Sequence, residues 1–63
     1  PDTDVNARDE YDNTPLHHAV SASDADMVTL LLESGADPQL ANRNGVTPIM
    51  LAADKPPIQR LFH

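Results

Sequence analysis

Two adjacent histidines, His17 and His18, are the most chemically suggestive pair in a chain of 63 residues that has no cysteine. A metal ion needs ligands converging on one point, commonly histidines at i and i+4 or paired cysteines. Neighbouring residues on a helix point about 100° apart, and neither histidine has an acid or a second histidine four positions away. The pair therefore supplies single donors and no metal site. A hydrogen bond from His17 to the region of Thr14, fixing the loop before it, is the simpler role, with His18 on the outer face of the same helix. Ser21, Ser23, Thr29 and Ser34 stand in no motif that would pair a hydroxyl with an activating base. The carboxylates are numerous, but they fall in loops and at helix starts, where they stay solvated. Asp24 and Asp26 are placed to interact with a helix N-terminus. Each of the two glycines stands alone, so there is no phosphate-cradling loop. No catalytic residue, cofactor or metal is expected.

The elements that hold these side chains must be few. A chain this short forms one small domain and buries only roughly 60% of the surface it would expose unfolded. At 40% hydrophobic and 22% charged residues, it is too apolar for a disordered tail. No apolar run approaches the roughly 18 residues of a membrane span. Charge divides unevenly. Residues 1–37 hold nine acids and Arg8, a net of −8, whereas residues 38–63 set Asp54 against Arg43, Lys55 and Arg60, a net of +2. An acidic surface repels phosphate backbones, so nucleic acid is not an expected partner of this segment, and no membrane is expected either. A basic protein segment is favoured instead. The lack of cysteine and of a secretory leader pattern favours an intracellular setting, cytoplasm or nucleus.

The chain repeats itself. TPLHHAV begins at Thr14 and TPIMLAA at Thr47, a spacing of 33 residues that also carries Leu16 onto Ile49, Ala19 onto Ala52 and Asp4 onto Asp37. A period of this length marks a repeat array. Each copy opens a helix in the same way, with Thr14 or Thr47 as N-cap and Pro15 or Pro48 where a missing N–H is harmless. Leu16, Ala19 and Val20 form one apolar stripe on a helix of about two turns, and Ile49, Ala52 and Ala53 reproduce it. In the first copy a second helix follows. Ser23 is its expected cap, with Asp26 three residues on, and Met27, Val28, Leu30, Leu31 and Leu32 make a stripe broad enough to be covered on more than one side. Gly35 ends that helix as a left-handed residue, and Asn44-Gly45 is the strongest tight-turn signal.

TPLHHAV, LLLESGADP and NRNGVTPIMLAA, in that order and at that period, resemble the ankyrin repeat across nearly the whole chain. The resemblance implies an all-α fold, an ankyrin-like α-solenoid of helix-turn-helix units joined by β-hairpin-like loops. It divides the chain into the end of a preceding repeat and its loop (residues 1–13), a first full repeat (14–46) and a degenerate terminal repeat (47–63), as a piece of a longer array. Asp12 stands where the family usually has glycine, and Met50 replaces the histidine of TPLH, removing a polar link to the loop. After Ala53 the spacing shortens. Ile58, Leu61 and Phe62 can take the parts of Val28, Leu31 and Leu32 only if Pro56-Pro57 forms a clipped turn. The last repeat either caps a stack or has lost part of its final helix. An open apolar end near Val5, Ala19 and Val28 is expected to pack against flanking repeats or a neighbouring domain, leaving the isolated segment weakly stable or self-associating.

What the resemblance implies about function is recognition of a protein partner, with no reaction of its own. The ligand-contacting positions of the family, the hairpin tips and the inner face of the first helices, fall on Arg8, Glu10, Tyr11, Asn13, Ser21 and Ala22 in the first unit. In the second they fall on Ala41, Arg43, Asn44, Val46, Asp54 and Lys55. Tyr11, Arg8 and Arg43 are the expected anchors, since aromatic and arginine side chains dominate interfaces. The alternative from a different class is a structural accessory or spacer region that packs against the catalytic domain of a larger enzyme and has no separate ligand.

Overall fold

The computed structural model describes residues 4–62. Pro1–Thr3 and His63 lie outside it, so the start of the first segment and the last residue of the terminal repeat are not covered. Four helices follow one another, α1 (Pro15–Ser21), α2 (Ala25–Glu33), α3 (Pro48–Leu51) and α4 (Pro56–Gln59), and no strand occurs among the described residues. The three-residue connection Ala22–Asp24 folds α2 back onto α1 as an αα-hairpin, α3 packs on α1 and α4 on α2. This is the expected all-α stack of helix pairs, with loops in place of sheet. Leu16, Val20 and Val28 are the large aliphatic side chains at its centre, closed by Ala19, Ala36, Ala52 and Ile58. Burying each large aliphatic stabilises the fold by roughly 1.5–3 kcal/mol, so so small a core leaves little margin.

Both long helices end by the same backbone device. The amides of Ser23 and Asp24 bond the carbonyls of Val20 (2.9 Å) and Ala19 (3.0 Å), and those of Gly35 and Ala36 bond Leu32 (3.2 Å) and Leu31 (2.9 Å). These are Schellman motifs, which need a left-handed residue just past the cap. Gly35 supplies it at φ 97°, but at the end of α1 the residue is Ser23, at φ 57°. Ser23 is therefore not the cap of α2. Held in the left-handed region to close α1, it passes that role to Asp24, whose Oδ1 accepts the amide of Met27 at 3.1 Å.

The second unit is shorter than the repeat predicts. Its α3 is a single turn, and Pro56 and Pro57 are not a turn but the opening residues of α4, where an absent N–H leaves no bond unmade. Ile58 is buried, and Leu61 and Phe62 pack half-buried against the core, as their alignment with Val28, Leu31 and Leu32 requires. The broad stripe of α2 is only partly covered. Val28 alone is fully buried, Leu31 and Leu32 are half-buried, and Met27 and Leu30 are exposed. Ile49 is 37% exposed although its counterpart Leu16 is buried, because α1 lies beneath α3 whereas no described element lies on the far side of Ile49.

Candidate functional site

The loops before α1 and α3 are built by the same arrangement 33 residues apart. In the first, Asp9 Oδ1 accepts the amides of Tyr11 and Asn13, both at 2.9 Å. In the second, Asn42 Oδ1 accepts those of Asn44 (2.9 Å) and Val46 (3.0 Å). A backbone bond closes each loop, from Asp9 N to Asn13 O and from Asn42 N to Val46 O, both 2.9 Å. Asp12 at φ 64° and Gly45 at φ 77° occupy matching left-handed positions, as expected of an aspartate that tolerates that region. A side-chain oxygen that bonds the backbone two residues on is why Asp and Asn start turns. The pairing of Asp9 with Asn42 is legible in the repeat once that role is assigned.

His17 joins the first helix to both loops. Its ring lies buried, with Nδ1 accepting the amide of Thr14 (3.0 Å) and lying 2.8 Å from the Thr14 hydroxyl. The amide of His17 meets the same hydroxyl, a reciprocal capping box that satisfies two backbone donors at once. Nε2 lies 2.7 Å from the carbonyl of Val46 in the next loop. A carbonyl only accepts, so the proton is on Nε2, and Nδ1 is free to take the Thr14 amide. His17 is thus a structural brace, as its position beside Thr14 suggests.

The tips are bonded to each other across the units. Arg43 N donates to Tyr11 O (3.0 Å), and the Arg43 guanidinium donates to Glu10 O (2.6 Å). Arg8 donates to Ala41 O (2.9 Å), Asn42 Nδ2 to Asn13 Oδ1 (2.9 Å) and Asp37 N to Asn6 Oδ1 (2.8 Å). Lys55 Nζ reaches Ser23 Oγ at 3.0 Å. Of the residues expected to meet a partner, Arg8, Asn13, Arg43 and Lys55 therefore also stitch one unit to the next. Arg8, Glu10, Tyr11, Arg43 and Asn44 are exposed on neighbouring tips, with Asn13, Ala41 and Val46 half-buried beneath them. Ser21 and Ala22 lie apart from these tips, exposed at the end of α1, and Asp54 is exposed before α4. Tyr11 is 58% exposed, so its ring is available to a partner while its carbonyl serves the stack.

One polar pair gave no signal in the spacing. His18, on the outer face of α1, places Nε2 at 2.9 Å from Asp9 Oδ2. Desolvation alone would raise the pKa of this carboxyl. The amides of Tyr11 and Asn13, with the hydrogen bond and charge of His18, outweigh it, and Asp9 titrates below the ordinary 3.8. The pair is solvent-exposed and contributes little, but it orients the aspartate that shapes the tip. Beside it lies a groove of about 490 Å3, lined by Ala7, Pro15, Ala19, Ala22, Met27 and Leu31, with Asp9, Asn13, His18 and Asp24 at its edges. The expected open apolar end is here, but Val28 is no part of it, since that side chain turns into the core. Among the described residues, no cluster of three or more histidines and acids could hold a metal, and no helix is long and apolar enough to cross a membrane.

Known proteins share this pattern. The family model for ankyrin repeats (3 copies) matches residues 1–61. The 2-5A-dependent ribonuclease of Homo sapiens is 60% identical over 40 residues, 64% of this chain and 5% of that protein. The mouse protein of the same name is 50% identical over 50 residues, 78% of this chain and 7% of its own length. The oxysterol-binding protein-related protein 1 of Rattus norvegicus is 49% identical over 49 residues, 78% of this chain and 5% of that protein. The chain thus spans only a small part of these relatives. With the helix pairs, braced loops and family match in agreement, the chain belongs to the ankyrin-repeat family, whose repeats generally serve as protein–protein interaction modules.

Proposed function

We propose that this chain recognises a protein segment through the paired loop tips, with Tyr11 as the central contact and Glu10, Arg8, Arg43 and Asn44 around it. The observation that carries this reading is the combination of exposure and bracing at Tyr11. Its ring is open to solvent while its backbone carbonyl is bonded to Arg43 and its amide to Asp9. A side chain held in this way loses little freedom on binding, and pre-organisation of this kind is what turns contact area into affinity. Asn13 and Val46 support the tips from below, and Ser21, Ala22 and Lys55 extend the surface along the first helix face. The surplus of acids around Asp9, Glu10 and Asp12 favours a basic partner segment. Attraction of this sort weakens with added salt, because exposed charges are screened over about 10 Å at 0.1 M. Such partners place the chain inside the cell.

The test is fluorescence anisotropy against a panel of lysine- and arginine-rich peptides and their charge-reversed counterparts. Basic peptides should bind, and Tyr11→Ala should weaken them by about tenfold or more, the scale of a single anchor. Glu10→Lys should weaken them further at low salt than at high salt. Equal binding of both peptide sets, or binding untouched by Tyr11→Ala, overturns the reading. If, in a longer parent chain, the same substitutions abolish solubility or an enzymatic activity, the accessory role beside a catalytic domain is the better account. The small share of the relatives that this chain spans is what keeps that account in view.

A further inference from the structure

The groove beside His18 lies on the side of α1 and α2 that faces away from the second unit, and the repeat itself indicates what fits there. A shift of 33 residues carries Pro15, Ala19 and Ala22 of the groove onto Pro48, Ala52 and Lys55. In the second unit those counterparts are buried or half-buried, because α3 packs against α1 and Lys55 reaches Ser23. The groove is thus the receiving surface that, one unit later, is filled by a helix of the α1 kind. The opposite end of the molecule carries the inserting surface. Ile49, Met50 and Ala53 stand where Leu16, His17 and Val20 stand in the first unit, and they are exposed.

We propose that a second copy of this chain seats its Ile49–Met50 end in the groove of the first, so that copies associate head to tail. The operation that carries the first unit onto the second, applied again, carries one copy onto the next, and no new packing geometry is needed. Charge selects this arrangement over others. The groove is rimmed by Asp9 and Asp24 in a segment of net −8, whereas Ile49 and Met50 belong to a segment of net +2. Two grooves face to face would set −8 against −8, but head to tail sets −8 against +2. The contact is heterologous, with different surfaces on the two copies, and it forms open chains unless the rotation closes. Met50 has no ring nitrogen to bond the next loop as His17 does, so this contact is weaker than the one within the chain. The inference is independent of any ligand at Tyr11, which lies outside the groove.

Sedimentation equilibrium over a range of concentrations tests it, with two variants at exposed positions that leave the core untouched. Met27→Glu (42% exposed) blocks the groove, and Met50→Glu (55% exposed) blocks the other end. Wild type should gain mass steadily with concentration, past the dimer, while each variant alone stays monomeric. An equimolar mixture of the two should form a dimer and nothing larger, because one competent groove and one competent end remain. Ala22→Arg should behave as Met27→Glu does, and far-UV circular dichroism checks that all three keep the wild-type helix content. Three results overturn the proposal: a wild type monomeric up to about 1 mM, where even weak contacts register; a single variant that still associates; or a mixture that remains monomeric. The last two would mean that the groove takes some other occupant or that the contact is face to face.

Discussion

The two units begin alike and end differently. In each, a threonine caps a Pro-led helix, Asp9 or Asn42 folds the loop before it through two amide bonds, and a left-handed residue closes the tip. Yet α1 runs seven residues and α3 only four. The first helix has His17 to bond Thr14 on one side and the carbonyl of Val46 on the other, and it has a neighbour in α3. Met50 offers neither bond, and Ile49 beside it faces solvent. Local signals are therefore enough to start a helix in both places. What lengthens and buries it is a partner unit and a polar side chain that reaches the next loop.

Matched substitutions probe this contrast, beginning with the core. Leu16→Ala should destabilise the chain by about 3 kcal/mol, the usual loss for a fully buried leucine, whereas Ile49→Ala should cost well under half as much because its side chain is already partly in water. Urea denaturation of the two variants decides the point, and equal losses would mean that the ends of the stack are not distinct. A smaller effect of opposite sign is expected at the helix ends. Ser23 holds a left-handed conformation that costs a residue with a Cβ roughly 1–2 kcal/mol, part of which glycine offsets by its freer unfolded state. Ser23→Gly should then raise the thermal midpoint, while Gly35→Ser at the equivalent position of α2 should lower it.

The least costly test separates the two loops by pH. Asp9 has its carboxyl pKa lowered in the fold, so the support it gives is present above the ordinary 3.8 and is lost as pH falls through the lower folded value. Asn42 performs the same bonding without a titrating group. In an acid titration followed by NMR, the amides of Tyr11 and Asn13 should shift and those of Asn44 and Val46 should not. Loops that respond together would show that the carboxylate does not shape the first tip separately.

Much of this was legible in the residues. The period, the TP caps, Gly35, the left-handed Asp12 and the buried roles of Leu16, Val28 and Ile58 all follow from spacing and local chemistry. The position of Ser23 did not. Serine is a common cap, and nothing local announces that the end of α1 will claim it for a Schellman turn and leave the cap to Asp24. Pro56-Pro57 misled for a related reason, since a proline pair suits a turn and the first turn of a helix equally well. The tip residues were identifiable by position, but their second duty was not. That Arg8 and Arg43 donate to carbonyls of the neighbouring loop depends on how close two loops 33 residues apart come to lie, and a linear pattern carries no such distance. The His18–Asp9 pair was missed likewise, being nine residues apart and set by the path of the loop.

The account rests on two units whose loops are held together through His17, and the amide of Arg43, bonded to Tyr11 O across the units, reports on it. Its hydrogen exchange should be slowed in wild type, and in His17→Met, which gives the first unit the residue found at position 50, it should rise toward the rate of an unstructured peptide. An Arg43 amide that exchanges freely in wild type, or one equally protected in both, would contradict the account.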